Sequence, residues 1–418
     1  MNTGSTISFD NTEYAFAYKK NTDLKKAHFL FSLMGQPWLV NIGLKITPLA
    51  IRWKVPFTNT IIRNTIFQQF VGGETLEETS SVAKKLGEYH VQAILDYGVE
   101  GGDDGESGFE HSTGEFIRVI NYAATQNNIP FMSIKVTGFS RFALLEKIDA
   151  LMHQAEGTLM KRYLRALEEL TESEKEEWHR VRVRMMRICE AANDKKIGVL
   201  VDAEETWIQD PVDALTILMM DTFNKGRVIV YNTLQLYRTD RFKFLQAMYD
   251  AANERHFILG AKLVRGAYMD KERERAAAMN YPSPIQPDKQ SCDRDYNAAV
   301  EFCIEHIDKV APIVASHNEF SNLYATQLLD KKGLPHNHPH IHFSQLYGMS
   351  DNITFNLAKA GCSVSKYLPF GPIKDVIPYL MRRAQENSSV SGQTGRELGL
   401  IKKELERRKT TIKPYLGQ

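Results

Sequence analysis

Runs of apolar, β-branched residues alternate with helical patterns along most of this chain. Eight such runs occur, and each is followed by a segment whose apolar residues recur at helical spacing. Strict alternation of strand and helix is typical of a parallel sheet with right-handed crossovers. The predicted strands are residues 91–98, 131–138, 197–204, 227–235, 257–266, 312–318, 341–348 and 363–371.

The number of units decides between two parallel architectures. Eight units in about 300 residues match a (β/α)8 TIM-type barrel better than an open doubly wound sheet, which remains the alternative. No GxGxxG motif follows any predicted strand, and this weakens a dinucleotide-binding open sheet. We predict an α/β barrel at residues 91–390, a helical region at 1–90 that packs on it, and a C-terminal helix or tail at 391–418.

Several helices are predicted in more detail. An amphipathic helix near Glu74–Tyr89 closes the N-terminal region, and another is expected from Thr113 to Gln126. The segment from about Arg141 to Asp194 is predicted to be a long, charged helical region, whose block ESEKEEWHRVR (172–182) is expected to be a solvated excursion without a role in chemistry. A helix is also predicted from Tyr296 to Val310, after the proline-rich loop that precedes it.

Composition and charge exclude some classes of protein. The 418 residues are 25% charged and 43% hydrophobic, as in ordinary globular proteins. The formal net charge of +1 gives no support to nucleic-acid binding. The four cysteines show no CxxC spacing, so reduced thiols are expected.

The N-terminal third bears on localisation. The first residues have neither the apolar core of a signal peptide nor the character of an Arg-rich transit peptide, so we expect a cytoplasmic protein. Residues 28–57 are rich in Phe, Leu, Ile and Trp and contain basic residues. They fit either an apolar helix packed on the main domain or a segment on the inner face of the cytoplasmic membrane.

Polar side chains collect where the predicted strands end, which is where the sites of such barrels lie. Buried strands rarely end on so many charged and amide groups unless a ligand meets them. These residues are Lys135, Thr137, Asp202, Glu204, Gln235, Lys262, Arg265, Ser316, His317, Asn318, Gln345, Tyr347, Lys366 and Tyr367.

The chemistry of these residues points to a small carboxylate and a cofactor. The last predicted strand breaks at Pro369 and is followed by a helix that bears Arg382 and Arg383. Two adjacent guanidiniums suit a carboxylate, although a solvated basic helix end is the simpler alternative. Lys135 would add positive charge, and Asp202 should stay ionised among these cations. Lys262, Arg265 and the small residues that follow suit an electron-rich or phosphorylated cofactor.

The sequence also contains features of other kinds of site. The histidine run at residues 336–342 resembles a metal site, but it precedes a strand and lacks acidic neighbours, so no metal is predicted. A Schiff-base aldolase would use Lys135 or Lys262 as its nucleophile. A binding or scaffold module would explain the charged helices but not the polar strand ends.

Several segments resemble the proline dehydrogenase family over about residues 70–390. They are FVGGE (70–74), AILDYGVEG (93–101), VDAEETWIQ (201–209), KLVRGAYMDKERERA (262–276), SHN (316–318), QLYGMSD (345–351) and KYLPFGP with YLMRRAQEN (366–387). No stretch resembles the aldehyde dehydrogenase domain that is fused to some relatives, so the monofunctional form is expected. The resemblance implies a distorted barrel, non-covalent FAD, oxidation of L-proline to Δ1-pyrroline-5-carboxylate and a membrane quinone as electron acceptor. Oxidation of hydroxyproline, performed by relatives, is the nearest alternative.

The resemblance also implies roles for individual residues. Asp202 and Lys262 are expected to act beside the flavin as catalytic residues. The expected substrate-binding residues are Lys135, Tyr268, Tyr367, Arg382 and Arg383. The expected FAD contacts are Ala203, Gln235, Val264, Arg265, Gly266, Ala267, Tyr268, Ser316, His317, Asn318, Gln345 and Glu386.

Overall fold

A computed structural model describes residues 7–53, 55–98, 105–389 and 393–412 of the chain. The chain forms two compact units. One contains the described residues up to Ala93 and those from Ser344 onward, and the other spans Ile94–Phe343.

Eight parallel strands form a closed barrel in chain order, which confirms the predicted fold class. Seven strands lie inside the predicted runs, since β-branched and apolar residues suit positions that are buried on both faces of a sheet. The sixth strand overlaps its predicted run, 312–318, but begins two residues earlier, at Val310. The strands are β1 (Gln92–Tyr97), β2 (Phe131–Ile134), β3 (Gly198–Val201), β4 (Val230–Gln235), β5 (Leu259–Val264), β6 (Val310–Ala315), β7 (His342–Leu346) and β8 (Val364–Phe370).

Helices fill the N-terminal region, which was predicted to be helical. The last of them begins after Thr75, whose hydroxyl accepts a hydrogen bond from the Glu78 backbone and so caps the helix. These helices are α1 (Thr12–Ala15), α2 (Asn21–Met34), α3 (Pro37–Arg52), α4 (Thr58–Ile62), α5 (Gln68–Phe70) and α6 (Leu76–Gly87), with a π-helical turn at Arg63–Phe67.

The remaining helices follow the strands. They are α7 (Gly105–Ala123), α8 (Phe142–Gln154), α9 (Leu159–Glu168), α10 (Glu172–Lys195), α11 (Thr206–Phe223), α12 (Arg241–Arg255), α13 (Met269–Met279), α14 (Lys289–Glu305), α15 (Glu319–Lys331), α16 (Asp351–Lys359), α17 (Ile373–Ser389) and α18 (Gln393–Ile412). A 3-10 turn, Val136–Gly138, follows β2.

Two helix predictions are wrong in their limits. The helical region predicted at about Arg141–Asp194 is helical and consists of α8, α9 and α10; Gly157, with a left-handed φ of 114°, lies between the first two, and Thr171 begins α10 with a capping box. Helix α7 begins eight residues before the predicted Thr113, and α14 begins at Lys289 because Asp288 accepts a hydrogen bond from the Ser291 backbone at 2.7 Å.

Strand register shows which side chains face the barrel interior. Asn232 donates a hydrogen bond at 2.9 Å to Asp213 on α11, so Asn232 points outward and the alternate residues Thr233 and Gln235 point inward. Their register partners on β5, Lys262 and Val264, share that inward face. The same alternation places Asp202, which follows β3, toward the interior.

An aromatic layer lies at the amino ends of the strands inside the second unit. The ring of Phe131 packs edge-on against Tyr231, with centroids 5.5 Å apart, and against His342 at 4.9 Å. Gly198 makes room for it, since a Cβ at that position would lie 2.4 Å from the Phe131 ring. Burial lowers the pKa of His342 to about 3, so this histidine is neutral and part of the packing.

A buried ionic cluster organises the first unit and corrects one expectation. Lys366 is fully buried on β8, and its ammonium forms an ion pair at 2.9 Å with Asp351 at the start of α16. Asp351 also pairs with Lys19 at 2.9 Å and accepts a hydrogen bond from the Tyr18 hydroxyl at 2.8 Å. Lys366 therefore links β8 to α16. The sequence pattern had placed it among the strand-end residues that face a ligand, and this prediction is wrong. Its neighbour Tyr367 projects from the opposite face of the strand.

Among the described residues, no helix combines the length and the apolar character needed to cross a bilayer.

Candidate active site

The ammonium of Lys262 forms a close ion pair with the carboxylate of Asp202. Lys262 is only 5% exposed on β5, and Asp202 is the first residue after β3. A buried lysine stays charged only if its desolvation is offset by a partner, and Asp202 supplies one. The two residues that the sequence assigned to catalysis are therefore brought together at the carboxyl ends of the strands.

Gln235 lies at the carboxyl end of β4, next to this pair along the sheet. Its amide nitrogen donates to the backbone carbonyl of Glu204 at 2.7 Å. Its side-chain oxygen is buried and accepts no hydrogen bond from any residue that the structure describes. Because buried polar atoms are rarely left unsatisfied, this oxygen is available to a donor from a ligand.

The Glu204 side chain links two strand ends. Both of its carboxylate oxygens accept from the Thr137 hydroxyl, at 2.9 and 3.0 Å, just after β2. Its backbone N–H donates to the side-chain oxygen of Gln209, the fourth residue of α11. These bonds fix the segment that carries Asp202 and the buried Ala203.

Arg265 is held rigidly beyond the end of β5. Its Nε pairs with Asp293 at 2.8 Å, and its two terminal nitrogens donate to the hydroxyls of Ser316 and Ser321, each at 2.8 Å. The guanidinium also stacks on the Tyr296 ring, 3.8 Å from its centroid. Arg265 thus brings a fixed positive charge to the ends of β5 and β6.

The Ser316-His317-Asn318 segment forms the turn from β6 into α15. Asn318 caps this helix by accepting a hydrogen bond from the Ser321 backbone at 3.0 Å, and its own N–H donates to the Ser316 hydroxyl at 3.1 Å. His317 is half-buried beside them. The three residues therefore shape one helix start at the carboxyl end of β6.

Gly266 lies close to the start of α13. A Cβ there would lie 2.8 Å from the side chain of Met269, a flexible side chain that is 38% exposed. Ala267 is exposed, and Tyr268 is half-buried as the residue that precedes α13. The proximity of Gly266 to a cofactor is a prediction.

Lys135 is the first residue after β2 and is half-buried. It alternates onto the same face as Phe131 and Ser133, which is the interior face of the strand. The backbone N–H of Asp202 donates to the Ile134 carbonyl at 2.9 Å, so the ends of β2 and β3 run side by side there. Lys135 and Asp202 thus occupy neighbouring strand ends.

Sequence reasoning missed Glu272, which is fully buried on α13. Its carboxylate accepts hydrogen bonds from the backbone N–H and the hydroxyl of Thr206, both at 2.7 Å, at the first residue of α11. Burial raises the pKa of Glu272 despite these bonds. The residue lies within the segment that carries the family resemblance, but only the fold shows that it anchors α13 to α11.

In the first unit, α17 carries the two arginines. Arg383 is 6% exposed and pairs with Glu386 at 2.5 Å, one turn further along the helix. Its Nε is buried and has no hydrogen-bond partner among the described residues. Burial raises the pKa of Glu386, while Arg383 and Arg382 act in the opposite direction. Arg383 is therefore not a solvated basic residue at a helix end, which was the simpler alternative. Arg382 is half-buried.

Two other predicted residues of this unit lie on β7 and β8. Gln345 is 2% exposed, and its side-chain oxygen accepts from the Thr354 hydroxyl at 2.8 Å. Tyr367 is the one residue of β8 that is not fully buried. Gln345 is thus oriented by α16, and Tyr367 lies on the face of β8 opposite Lys366.

The histidine run has other partners. His336 pairs with Asp330 at 2.8 Å, and Nδ1 of His340 contacts the Ile307 carbonyl oxygen at 2.6 Å. Within the described ranges, one group has ligand-like spacing, namely Asp149, His153 and Asp210. Asp210 is already paired with Arg162 at 2.8 Å, so this group serves as an ion-pair junction between helices.

Several known proteins are similar to this chain over most of its length. The sequence profile described as proline dehydrogenase matches residues 79–396. The carbapenem antibiotics biosynthesis protein CarD of Pectobacterium carotovorum is 35% identical over 339 residues, which cover 81% of this chain and 83% of the relative. Proline dehydrogenase 1 of Dictyostelium discoideum is 32% identical, covering 84% and 66%. Hydroxyproline dehydrogenase of Xenopus laevis is 30% identical, covering 94% and 88%.

A solved structure has the same fold. Proline utilization A from Bdellovibrio bacteriovorus, inactivated by N-propargylglycine, superposes with a TM-score of 0.69 at 18% identity. The match covers 94% of this chain but 40% of that larger one, so the chain spans about two fifths of its length. The family profile covers well over half of the present sequence, and the chain belongs to the proline dehydrogenase family.

Proposed function

We propose that this protein oxidises L-proline to Δ1-pyrroline-5-carboxylate, with FAD as the first electron acceptor and a membrane quinone as the final one. The observation that carries the proposal is the buried Lys262–Asp202 ion pair at the carboxyl ends of β5 and β3 in a member of this family. Sites of such barrels lie at this end of the strands.

The residues around this pair suit a flavin. The buried side-chain oxygen of Gln235 lacks a donor among the described residues, which a ligand N–H or O–H would provide. The fixed guanidinium of Arg265 suits a phosphate-bearing ligand. When bound, FAD supplies the acceptor for a hydride from the ring carbon next to the proline nitrogen. We propose contacts from Ala203, Gln235, Val264, Arg265, Gly266, Ala267, Tyr268, Ser316, His317, Asn318, Gln345 and Glu386.

In this proposal Lys262 acts electrostatically. A fixed ammonium stabilises negative charge that develops nearby, and its low exposure keeps it from being screened by water. Asp202 holds the ammonium in one place and offsets the cost of burying it. The ion pair also makes Lys262 a poor Schiff-base nucleophile, because its nitrogen is engaged by the Asp202 carboxylate.

We propose that Arg382 and Arg383 bind the proline carboxylate. The buried Nε of Arg383, which has no hydrogen-bond partner in the part of the chain that the structure describes, supports this role, since a carboxylate would complete its hydrogen bonding. Lys135 is proposed to add positive charge for the carboxylate, while Tyr268 and Tyr367 are proposed to shape the pocket for the ring.

Hydroxyproline oxidation is the second candidate, and the Xenopus relative carries that name. We favour proline because the partly exposed ring of Tyr367 would crowd a hydroxyl on the substrate ring. The ratio of kcat/KM for the two amino acids, measured on the same preparation, decides between them.

The experiment that tests the proposal is purification of the full chain followed by absorption spectroscopy. A flavin band near about 450 nm that is bleached by L-proline under anaerobic conditions supports it. A protein that does not take up FAD refutes it. Trapping of a substrate adduct by borohydride would favour the aldolase instead.

A further inference from the structure

Helix α3 is apolar on two opposite sides. At 3.6 residues per turn, Trp38, Ile42, Ile46, Leu49 and Trp53 at its C-cap fall within an arc of about 80°, which we call the outer stripe. Val40, Leu44, Thr47 and Ile51 lie about 170° away and form the inner stripe. A helix with apolar stripes on two opposite sides is stabilised when both stripes are covered by an apolar environment.

Only the inner stripe is covered within this unit. Val40 is 8% exposed, and Ile51 packs against the hydrophobic core that includes Ile377 and Leu380 of α17. The outer stripe faces solvent, with Trp38 60%, Ile46 57% and Trp53 72% exposed. The large apolar side chains of Phe29, Leu33, Val55, Phe57 and Ile61 are also exposed on the flanking segments.

The charge around this surface has one sign. No Asp or Glu occurs between Asp23 and Glu74, although the chain average of 51 acidic residues in 418 would place about six in a stretch of this length. The same stretch contains six Lys and Arg residues, which gives it a formal charge of +6, whereas the whole chain carries +1. Lys45 is exposed and flanks the outer stripe on α3.

We propose that the outer stripe of α3, with its flanking exposed aromatic residues, is a docking surface for an anionic lipid bilayer. Hydrocarbon would cover the apolar stripe, anionic headgroups would neutralise the acid-free cationic segment, and Trp38 and Trp53 would occupy the interfacial zone that tryptophan prefers. A second copy of the chain fits less well, because two such surfaces would bring like charges together. The proposal does not depend on the identity of the electron acceptor.

The test uses vesicles and the full chain. Vesicles of phosphatidylcholine are compared with vesicles that contain about 30% phosphatidylglycerol, by sedimentation and by tryptophan emission. The test variant is Ile46→Glu with Leu49→Glu. The matched control is Leu164→Glu with Phe320→Glu, which places the same charges on exposed apolar positions of α9 and α15.

We expect the wild type and the control to bind the anionic vesicles with a blue shift of tryptophan emission, and the test variant to bind at least about 100-fold more weakly. Equal binding by the test variant, or no binding by the wild type, overturns the proposal. The proposal is also overturned if the wild type is a dimer that binds no vesicles and the test variant is a monomer. In that case a second copy of the chain covers the outer stripe. Proline oxidation with a soluble dye as acceptor should be unchanged in the test variant, so a failure here is distinct from a failure of the proposed function.

Discussion

Lys262 and Asp202 form an ion pair although 60 residues separate them in sequence, and both lie at the carboxyl ends of barrel strands. The pair places a positive charge in a position that is almost shielded from water. Its consequences for stability and for catalysis can be separated by mutation.

Asp202→Ala should lower the free energy of unfolding by about 3 kcal/mol, because the Lys262 ammonium is left buried without its counter-charge. Adding Lys262→Met should restore much of that loss. Lys175→Met, which breaks an exposed pair with Glu172, should cost less than about 1 kcal/mol. Urea unfolding measures all of these variants. If Asp202→Ala alone is as stable as the wild type, Asp202 is not the residue that offsets the burial of the Lys262 ammonium.

Lys262→Met should lower kcat by about 100-fold or more while FAD stays bound, since the ammonium acts on developing charge and not on cofactor retention. Steady-state kinetics and the flavin-to-protein absorbance ratio report the two effects. An unchanged kcat would remove Lys262 from the catalytic role.

Arg382→Met and Arg383→Met should each raise the KM for proline about 10- to 100-fold, since a charge-assisted contact to a carboxylate contributes roughly 1.5 to 3 kcal/mol. The matched control is Arg118→Met, which removes an exposed arginine on α7 that pairs with Glu115. Unchanged KM values in both α17 variants would contradict the carboxylate assignment.

Proline oxidation should accelerate with pH, because the hydride leaves more readily when the adjacent nitrogen has lost its proton and its lone pair can stabilise the iminium. The profile of kcat/KM between about pH 6 and about pH 9 tests this expectation. A flat profile would show that amine deprotonation does not limit the reaction.

Glu397 should make stability depend on pH. It is 5% exposed on α18, and burial together with the charge of Asp351 raises its pKa to about 7. Because the pKa of Glu397 is higher in the folded than in the unfolded protein, its contribution to the free energy of unfolding is complete below about pH 4.5. As the pH rises to about 7, that contribution falls by up to roughly 3 kcal/mol. Glu397→Gln should therefore stabilise the protein near pH 8 and have little effect near pH 4.5.

The control for this prediction is Glu406→Gln, which changes an exposed residue of the same helix. Thermal unfolding at both pH values compares the three proteins. If the Glu397 variant and the control behave alike at pH 8, the carboxyl group of Glu397 is not the source of the pH dependence.

Tyr367→Ala should raise kcat/KM for hydroxyproline relative to proline by about tenfold, since it removes the ring that would crowd the hydroxyl. Tyr281→Ala removes a tyrosine that is 36% exposed and serves as the control. A ratio that does not change would mean that another residue sets the preference.

The barrel could be predicted from sequence because strands buried on both faces need apolar, β-branched runs, and eight of these are separated by helical patterns. The capping box of Thr171 and Glu174 was also readable and would have placed the start of α10 within the predicted helical region. The ion pair of Lys366 with Asp351, and the second pair that Asp351 makes with Lys19, were not readable, since only the fold brings these residues together. The partners of Arg265 could not be read from the sequence either, because Asp293 and Ser321 lie on two later helices.

The central claim is that the carboxyl ends of this barrel hold a flavin that L-proline reduces. The most direct measurement is an anaerobic titration of the purified, FAD-loaded full chain with L-proline, followed near about 450 nm. The account predicts stoichiometric loss of the oxidised flavin band in the wild type and a much slower loss in Lys262→Met. A colourless protein that binds no FAD, or a bound flavin that L-proline leaves oxidised, would contradict it.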